Sequence, residues 1–332
     1  MNVWCNISVR RASDTTLSQG FYTYSNYSGP YVSLSPDTAL VYASTESQRK
    51  AATALQYVVN NELERAADLI CDALIEKDTL EWLWRYFPNT YYSIVGYNWD
   101  KLEKLENMRT NLTDADFSFY KDKLSLNIDF KCDSVVLPIK ISFGVPLVRF
   151  FINGKYYWFC IDTGCSKTTI SNLIAKNYTS VSDKTKSVST IGKDAIVKSS
   201  LLPELNFGDI LVSNLPVEVV DRDYAFRYKL LFFNLLYADG MLGWDILHRF
   251  DFSIDYKNKL LTLRKSKHIN NDDRNIFWYE MPIVKFYSSN GLPMLLFLDT
   301  GCATTFFCDK KIPYLLNIDV NSLSKKVLNL MD

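Results

Sequence analysis

Two tripeptides carry the chain's most evident chemistry: Asp162-Thr163-Gly164 and Asp299-Thr300-Gly301. Each follows an apolar run, Phe159-Cys160-Ile161 in one case and Phe297-Leu298 in the other, and each is followed by a cysteine. An aspartate delivered by a hydrophobic strand into a tight turn is a carboxyl held in a partly dry place. Two such carboxyls side by side cannot both ionise cheaply, so they share one proton. The ionised member can then take a proton from water while the protonated member hydrogen-bonds a developing oxyanion. Glycine gives the turn its backbone freedom and allows a partner lobe to approach closely. The threonine hydroxyls are placed to bond across to the partner's backbone. This chemistry needs no metal and no cofactor, and the two histidines, His248 and His268, would hardly supply a metal site.

One such tripeptide is weak evidence, but here the whole neighbourhood repeats. Leu137-Pro138-Ile139-Lys140, a hairpin and Asp162-Thr163-Gly164-Cys165 form one copy. Met281-Pro282-Ile283-Val284, a turn at Asn290-Gly291 and Asp299-Thr300-Gly301-Cys302 form the other. Thr168-Thr169 and Thr304-Thr305 follow the respective copies.

The elements that would position these turns change character along the chain. Residues 1–35 are rich in Ser, Tyr, Asn and Gly and show no helical period. Ala51, Leu55, Val58, Val59, Leu63, Ala66, Ala67, Ile70 and Leu74 recur at helical steps, with Ser44, Thr45 or Ser47 as candidate caps. Further helices are expected around Leu80–Phe87, Asp100–Met108 and Asp114–Leu124, loosely like a helical repeat. The cluster Trp82, Trp84, Tyr86 and Phe87 is read as helix core rather than a ligand groove. From Ser134 the period switches to two: Val135, Leu137, Ile139 and Ile141 alternate with polar residues. Asn153-Gly154 marks a hairpin, and the charged stretch Lys265–Arg274 a linker. Helices are therefore expected mainly within 36–125, and strands over 137–162 and 195–263.

Composition excludes several classes. Lys+Arg and Asp+Glu balance at 37 each in 332 residues, so nothing favours nucleic acid or an anionic membrane as partner. No apolar stretch is long enough to span a bilayer. Met1–Arg11 lacks the core of a signal peptide, which suggests the cytoplasm, or the periplasm or exterior if a leader precedes it. The cysteines are odd in number and scattered, so they form no disulfide framework. Cys160 with Cys165, and Cys302 with Cys308, lack zinc-site spacing. A Cys165–His248 nucleophilic pair is the weaker alternative reading of the site.

The stretch from Leu137 to Leu263 resembles the retropepsin-like aspartic proteases, especially bacterial single-chain members. Asp162-Thr163-Gly164 resembles the catalytic loop. Ser189-Thr190-Ile191-Gly192, followed by Val197, resembles the flap that closes over substrate. Asp239-Gly240-Met241-Leu242-Gly243-Trp244-Asp245-Ile246-Leu247 resembles the strand and short helix that embrace that loop from behind. Phe252–Tyr256 with Leu260–Leu263 is similar to the closing hairpin.

With the switch of period near Ser134 and the repeat, the expectation is a chain of α and β domains: a helical N-terminal domain over 1–134, an all-β closed barrel of six to eight strands over 135–265, which the resemblance makes retropepsin-like, and a partial second lobe over 275–332. The resemblance implies Asp162 and Asp299 as catalytic, supported by Thr163, Gly164, Thr300 and Gly301. The flap would use Thr190, Ile191 and Gly192, and the brace Gly240, Met241, Leu242 and Gly243. It implies a peptide or protein substrate and no cofactor. The second copy shows no flap or Gly-x-Leu-Gly element, so a longer chain or a second copy of Asp162 in a homodimer is the expected complement. The reading from another class is a catalytically inactive, protease-derived protein-binding module.

Overall fold

The computed structural model describes residues 8–9, 18–19, 22–23, 35–60, 62–75, 117–120, 123–190, 193–221, 227–230, 233–266, 275–279, 281–287 and 293–302. Strands dominate. The N-terminal part holds three two-residue strands, β1 (Ser8–Val9), β2 (Ser18–Gln19) and β3 (Tyr22–Thr23). Helices α1 (Pro36–Tyr42), α2 (Glu46–Val59) and α3 (Leu63–Ile75) follow.

Thr45 caps α2 through a capping box: its hydroxyl accepts from Gln48 N at 3.1 Å, and Gln48 Oε1 accepts from Thr45 N at 3.3 Å. The stripe Ala51, Leu55 and Val58 meets Ala66, Ala67 and Ile70 in a buried, small-residue interface. The helical readings over 80–87 and 100–108 fall outside the described residues. A short α4 (Phe117–Tyr120) lies within the expected 114–124.

Eleven strands make the main sheet. They are β4 (Asn127–Phe130), β5 (Ser134–Ser142), β6 (Val145–Ile152), β7 (Lys155–Ile161), β8 (Thr169–Ser171), β9 (Val181–Thr190), β10 (Lys193–Asn206), β11 (Ile210–Val220), β14 (Gly240–Leu242), β15 (Phe250–Asp255) and β16 (Leu260–Lys265). The order is β15-β16-β5-β6-β7-β14-β8-β11-β10-β9, with β4 on β11 and a further pairing of β10 to β6 at Asn206–Phe151. The hairpin β12 (Arg227–Leu230) and β13 (Phe233–Tyr237) stands apart from it. Short helices α5 (Asn172–Tyr178) and α6 (Trp244–Leu247) interrupt the strands. The core is aromatic at its centre, where Phe150 meets Phe159 and Phe207.

One feature of this order positions the site. Strand β14 is inserted between β7 and β8, parallel to β7 and antiparallel to β8. The loop 162–168 joining β7 to β8 must therefore wrap around the end of β14. Side chains cannot intrude there: a Cβ on Gly243 would fall closer than 3.0 Å to the backbone of Lys167 and Thr168.

Besides the small β2–β3 pair, a four-stranded sheet has the order β1-β19-β18-β17, built from β1, β17 (Ile276–Tyr279), β18 (Met281–Tyr287) and β19 (Pro293–Phe297). Helix α2 leans on β17. The pairing corrects the register of the repeat. Asp162 follows β7, whose hairpin partner is β6, and Asp299 follows β19, whose hairpin partner is β18. The counterpart of Met281-Pro282-Ile283-Val284 is thus Val145-Pro146-Leu147-Val148 in β6, not Leu137-Pro138-Ile139-Lys140 in β5. Both stretches carry the same apolar-Pro-apolar texture, and only the pairing tells them apart.

Candidate active site

The two Asp-Thr-Gly turns meet. Thr163 N donates to Thr300 Oγ1 at 3.1 Å, and Thr300 N donates to Thr163 Oγ1 at 3.0 Å. Each hydroxyl in turn donates into the strand end of the other lobe: Thr163 Oγ1 to Leu298 O at 2.7 Å, Thr300 Oγ1 to Ile161 O at 2.8 Å. Two reciprocal bonds between the buried threonines, and two more from their hydroxyls to the opposite strand ends, lock the turns in two-fold fashion. Buried hydroxyls left unpaired would be costly, so the pairing specifies the geometry as well as stabilising it.

The glycines complete the match. A Cβ on Gly164 would collide with the Asp299 carboxylate, and one on Gly301 with that of Asp162. Each aspartate is oriented by its own turn. Asp162 Oδ1 accepts from Gly164 N at 2.9 Å and Cys165 N at 3.1 Å; Asp299 Oδ1 accepts from Gly301 N at 2.8 Å. The two carboxyl groups also hydrogen-bond each other.

Burial raises both carboxyl pKa values. Asp162 is pushed up to about 8 by desolvation first, then by the charge of Asp299 and the hydrogen bond to it. Asp299 is raised by desolvation, opposed by the hydrogen bond from Asp162 and by backbone donors. The pair therefore holds a shared proton well above the usual carboxylate range.

Behind the first turn lies a brace. Asp162 N donates to Leu242 O at 3.0 Å, and Trp244 N to Cys165 O at 2.7 Å. Gly243 N donates to Thr168 Oγ1 at 3.1 Å. Asp245 Oδ1 accepts from Thr168 N at 2.9 Å and Thr168 Oγ1 at 2.7 Å. Asp245 is buried, and burial raises its carboxyl to about 6, against the pull of the Thr168 bonds, Arg249 and Lys167. Leu242 and Gly243 thus lie against the Asp162 loop, whereas Gly240 and Met241 pair with the strands on either side of it, at Phe159, Cys160, Thr169 and Ile170. Neither Asp245 nor Thr168 was singled out from sequence. The available signal was a charged residue inside the apolar run Met241–Leu247.

Thr190 ends β9 and pairs with Lys193 at the start of β10, so the expected flap is a long hairpin. Ile191 and Gly192 at its tip lie outside the described residues. The alternative Cys165–His248 pair is not assembled. Cys165 Sγ donates to Lys167 O at 2.9 Å, and burial pushes its thiol well above the ordinary value, away from the reactive thiolate. His248 is driven toward its neutral form by burial and by Arg249. Among the described residues no group of three or more His, Cys, Asp or Glu side chains converges as a metal site, and no helix is long and apolar enough to cross a membrane.

Residues 148–246 match the family model described as aspartyl protease, a segment that spans Asp162 and the brace. The resemblance to the retropepsin-like aspartic protease family rests on that match. Among solved structures, the chain is similar to a retropepsin-like aspartic protease from Rickettsia conorii at 21% identity, covering 43% of this chain and 96% of that chain, with a TM-score of 0.27. No curated protein matches the chain.

Proposed function

We propose that the chain is an aspartic endopeptidase whose dyad is Asp162 with Asp299 of the same chain, starting from the match of residues 148–246 to the aspartyl proteases. The observation that carries the reading is the reciprocal Thr163–Thr300 locking, which sets two carboxyls in hydrogen-bond contact. Because that locking is intramolecular, Asp162 of a second copy is not required.

The ionised Asp299 takes a proton from a water lying between the carboxyls and a scissile peptide. The water oxygen attacks the carbonyl carbon while Asp162 gives its proton to the carbonyl oxygen. Collapse of the resulting diol breaks the C–N bond. The proton held by Asp299 goes to the leaving amine, and a diol hydroxyl returns one to Asp162. No covalent enzyme intermediate forms. An extended peptide would lie beneath the β9–β10 hairpin. We read the ring β6-β7-β14-β8-β11-β10, returning to β6 at Asn206, as the closed barrel of the first lobe. Helices α1–α3 serve as the helical unit, β4–β16 as the first lobe, and β17–β19 with β1 alongside as the second.

The test is cleavage of a peptide library, with pepstatin and with Asp162→Asn as controls. The competent dyad carries one proton. Turnover should rise as pH climbs past the ordinary carboxylate range, where Asp299 ionises, and fall as pH passes about 8, where Asp162 loses its proton. Absence of pepstatin-sensitive cleavage across this range would favour the binding-module reading instead.

A further inference from the structure

We infer that Asp245 is a positioning residue for the reaction: through Thr168 it fixes the far end of the loop that carries Asp162. The inference rests on the aspartic protease reading of the dyad. It starts from where the hydrogen bonds of Asp245 go. Oδ1 accepts both donors of Thr168, N–H and O–H. Oδ2 is buried and has no hydrogen-bond partner among the described residues. Every bond the carboxyl makes in the described structure is therefore spent on one residue of the catalytic loop.

For core packing alone, an apolar side chain would avoid the cost of burying a carboxyl. The site favours a carboxyl because Thr168 presents two buried donors in one direction and one oxygen satisfies both. Thr168 Oγ1 in turn accepts from Gly243 N, and Thr168 O accepts from Glu218 N at 3.0 Å.

The loop 162–168 is thereby pinned at three places on one short segment. Leu242 O holds its start at Asp162 N, Trp244 N holds its middle at Cys165 O, and Asp245 holds its end at Thr168. The first two pins use backbone groups that any residue supplies. The third depends on side chains. If it is released, the loop can pivot about Asp162, whose carboxyl must face Asp299 to act. Asp245 touches neither carboxyl, so its effect passes through geometry. The charged neighbours are Lys167, which lies 3.9 Å from Glu218, and Arg249. Neither replaces Asp245 as acceptor for Thr168.

The experiment compares Asp245→Leu, Asp245→Asn and Thr168→Val in the full chain, each normalised by pepstatin active-site titration. Asp245→Leu should lower kcat by about ten- to a hundredfold with KM nearly unchanged, the scale of a displacement near 1 Å at the reacting groups. Asp245→Asn keeps an acceptor oxygen and should stay within about threefold of wild type, a difference under one kilocalorie. Thr168→Val removes one of the two bonds, and with it the acceptor for Gly243 N, and should lower kcat at least several-fold. It also keeps the test decisive if Asp245→Leu fails to fold. Wild-type kcat per titrated site in Asp245→Leu or Thr168→Val would overturn the inference, as would equal losses in Asp245→Asn and Asp245→Leu. Absence of wild-type turnover would instead overturn the protease reading on which it rests.

Discussion

The two Asp-Thr-Gly turns share a lock but not a support. At their meeting point they are equivalent: each threonine donates two bonds across the seam and accepts one, and each glycine faces the other's carboxylate. Away from it they differ. The first turn is wrapped around β14 and bonded to Leu242, Trp244 and, through Thr168, Gly243 and Asp245. The second turn is held, among the described residues, by its β19 stem, by Leu298 N bonded to Pro282 O, and by the lock itself. The difference teaches that the threonine lock sets where the carboxyls sit relative to each other, while the brace sets where the pair sits in the fold. A turn that shows no brace of its own among the described residues takes its position through the lock.

The largest expected effect tests the equivalence. Asp162→Asn and Asp299→Asn should each remove at least about a thousandfold of peptidase activity, since each deletes one half of an acid–base pair. A variant of either retaining near-wild-type turnover would mean the two carboxyls do not act together.

Next come the glycines. Gly164→Ala and Gly301→Ala each drive a methyl group into the opposite carboxylate. Losses near a hundredfold are expected from both, and of similar size, because the contact is reciprocal. Unequal losses by more than about tenfold would show that one loop yields where the other cannot, with the second turn the expected one to yield.

The threonines should expose the asymmetry directly. Thr163→Val and Thr300→Val each strand a buried backbone N–H and a carbonyl, at about 1–3 kcal/mol. The first turn keeps its brace after either change, but the second loses its main hold. Urea denaturation of both variants should therefore show lower cooperativity in the second lobe than in the first. Near-ultraviolet spectra should change most around the β17–β19 aromatics. Coincident loss of both lobes in either variant would mean the second turn has supports of its own.

Much of this was legible in the sequence, where local chemistry is strong. Asn153-Gly154 adopts the positive φ values of 43° and 86° that its composition calls for at a hairpin. Thr45 caps α2, and the apolar approach strands deliver Asp162 and Asp299 into turns. What sequence could not resolve was relational. Pro138 and Pro146 sit in similar textures, and only strand pairing shows which belongs to the repeat. Helix α5 is too short for a period to declare it. Asp245 shows its role only once Thr168, far away in sequence, is placed against it.

The smallest effect separates the pair's electrostatics from those of the brace, through stability against pH. Asp162 has a folded pKa raised from 3.8 to about 8, so the folded state holds a proton the unfolded chain has released. Such a group contributes stability that is fully present below its unfolded value and lost as pH rises through the folded one. Asp245, raised to about 6, has the same sign over a narrower window. Wild type should therefore lose stability between about pH 4 and 8, at up to about 1.4 kcal/mol per pH unit for each group still protonated. In Asp162→Asn the decline above about pH 6 should vanish while the earlier part, due to Asp245, remains. In Asp245→Asn the decline below about pH 6 should shrink to the part due to Asp162, and that part should continue to about pH 8. Even one unit of either slope corresponds to about 2–4 °C in Tm, within reach of thermal scans at pH 5, 6, 7 and 8. A stability that rises over this interval in wild type would reverse the sign and show that Asp162 is ionised in the folded state. Asp299 would then have to be the member that keeps the proton.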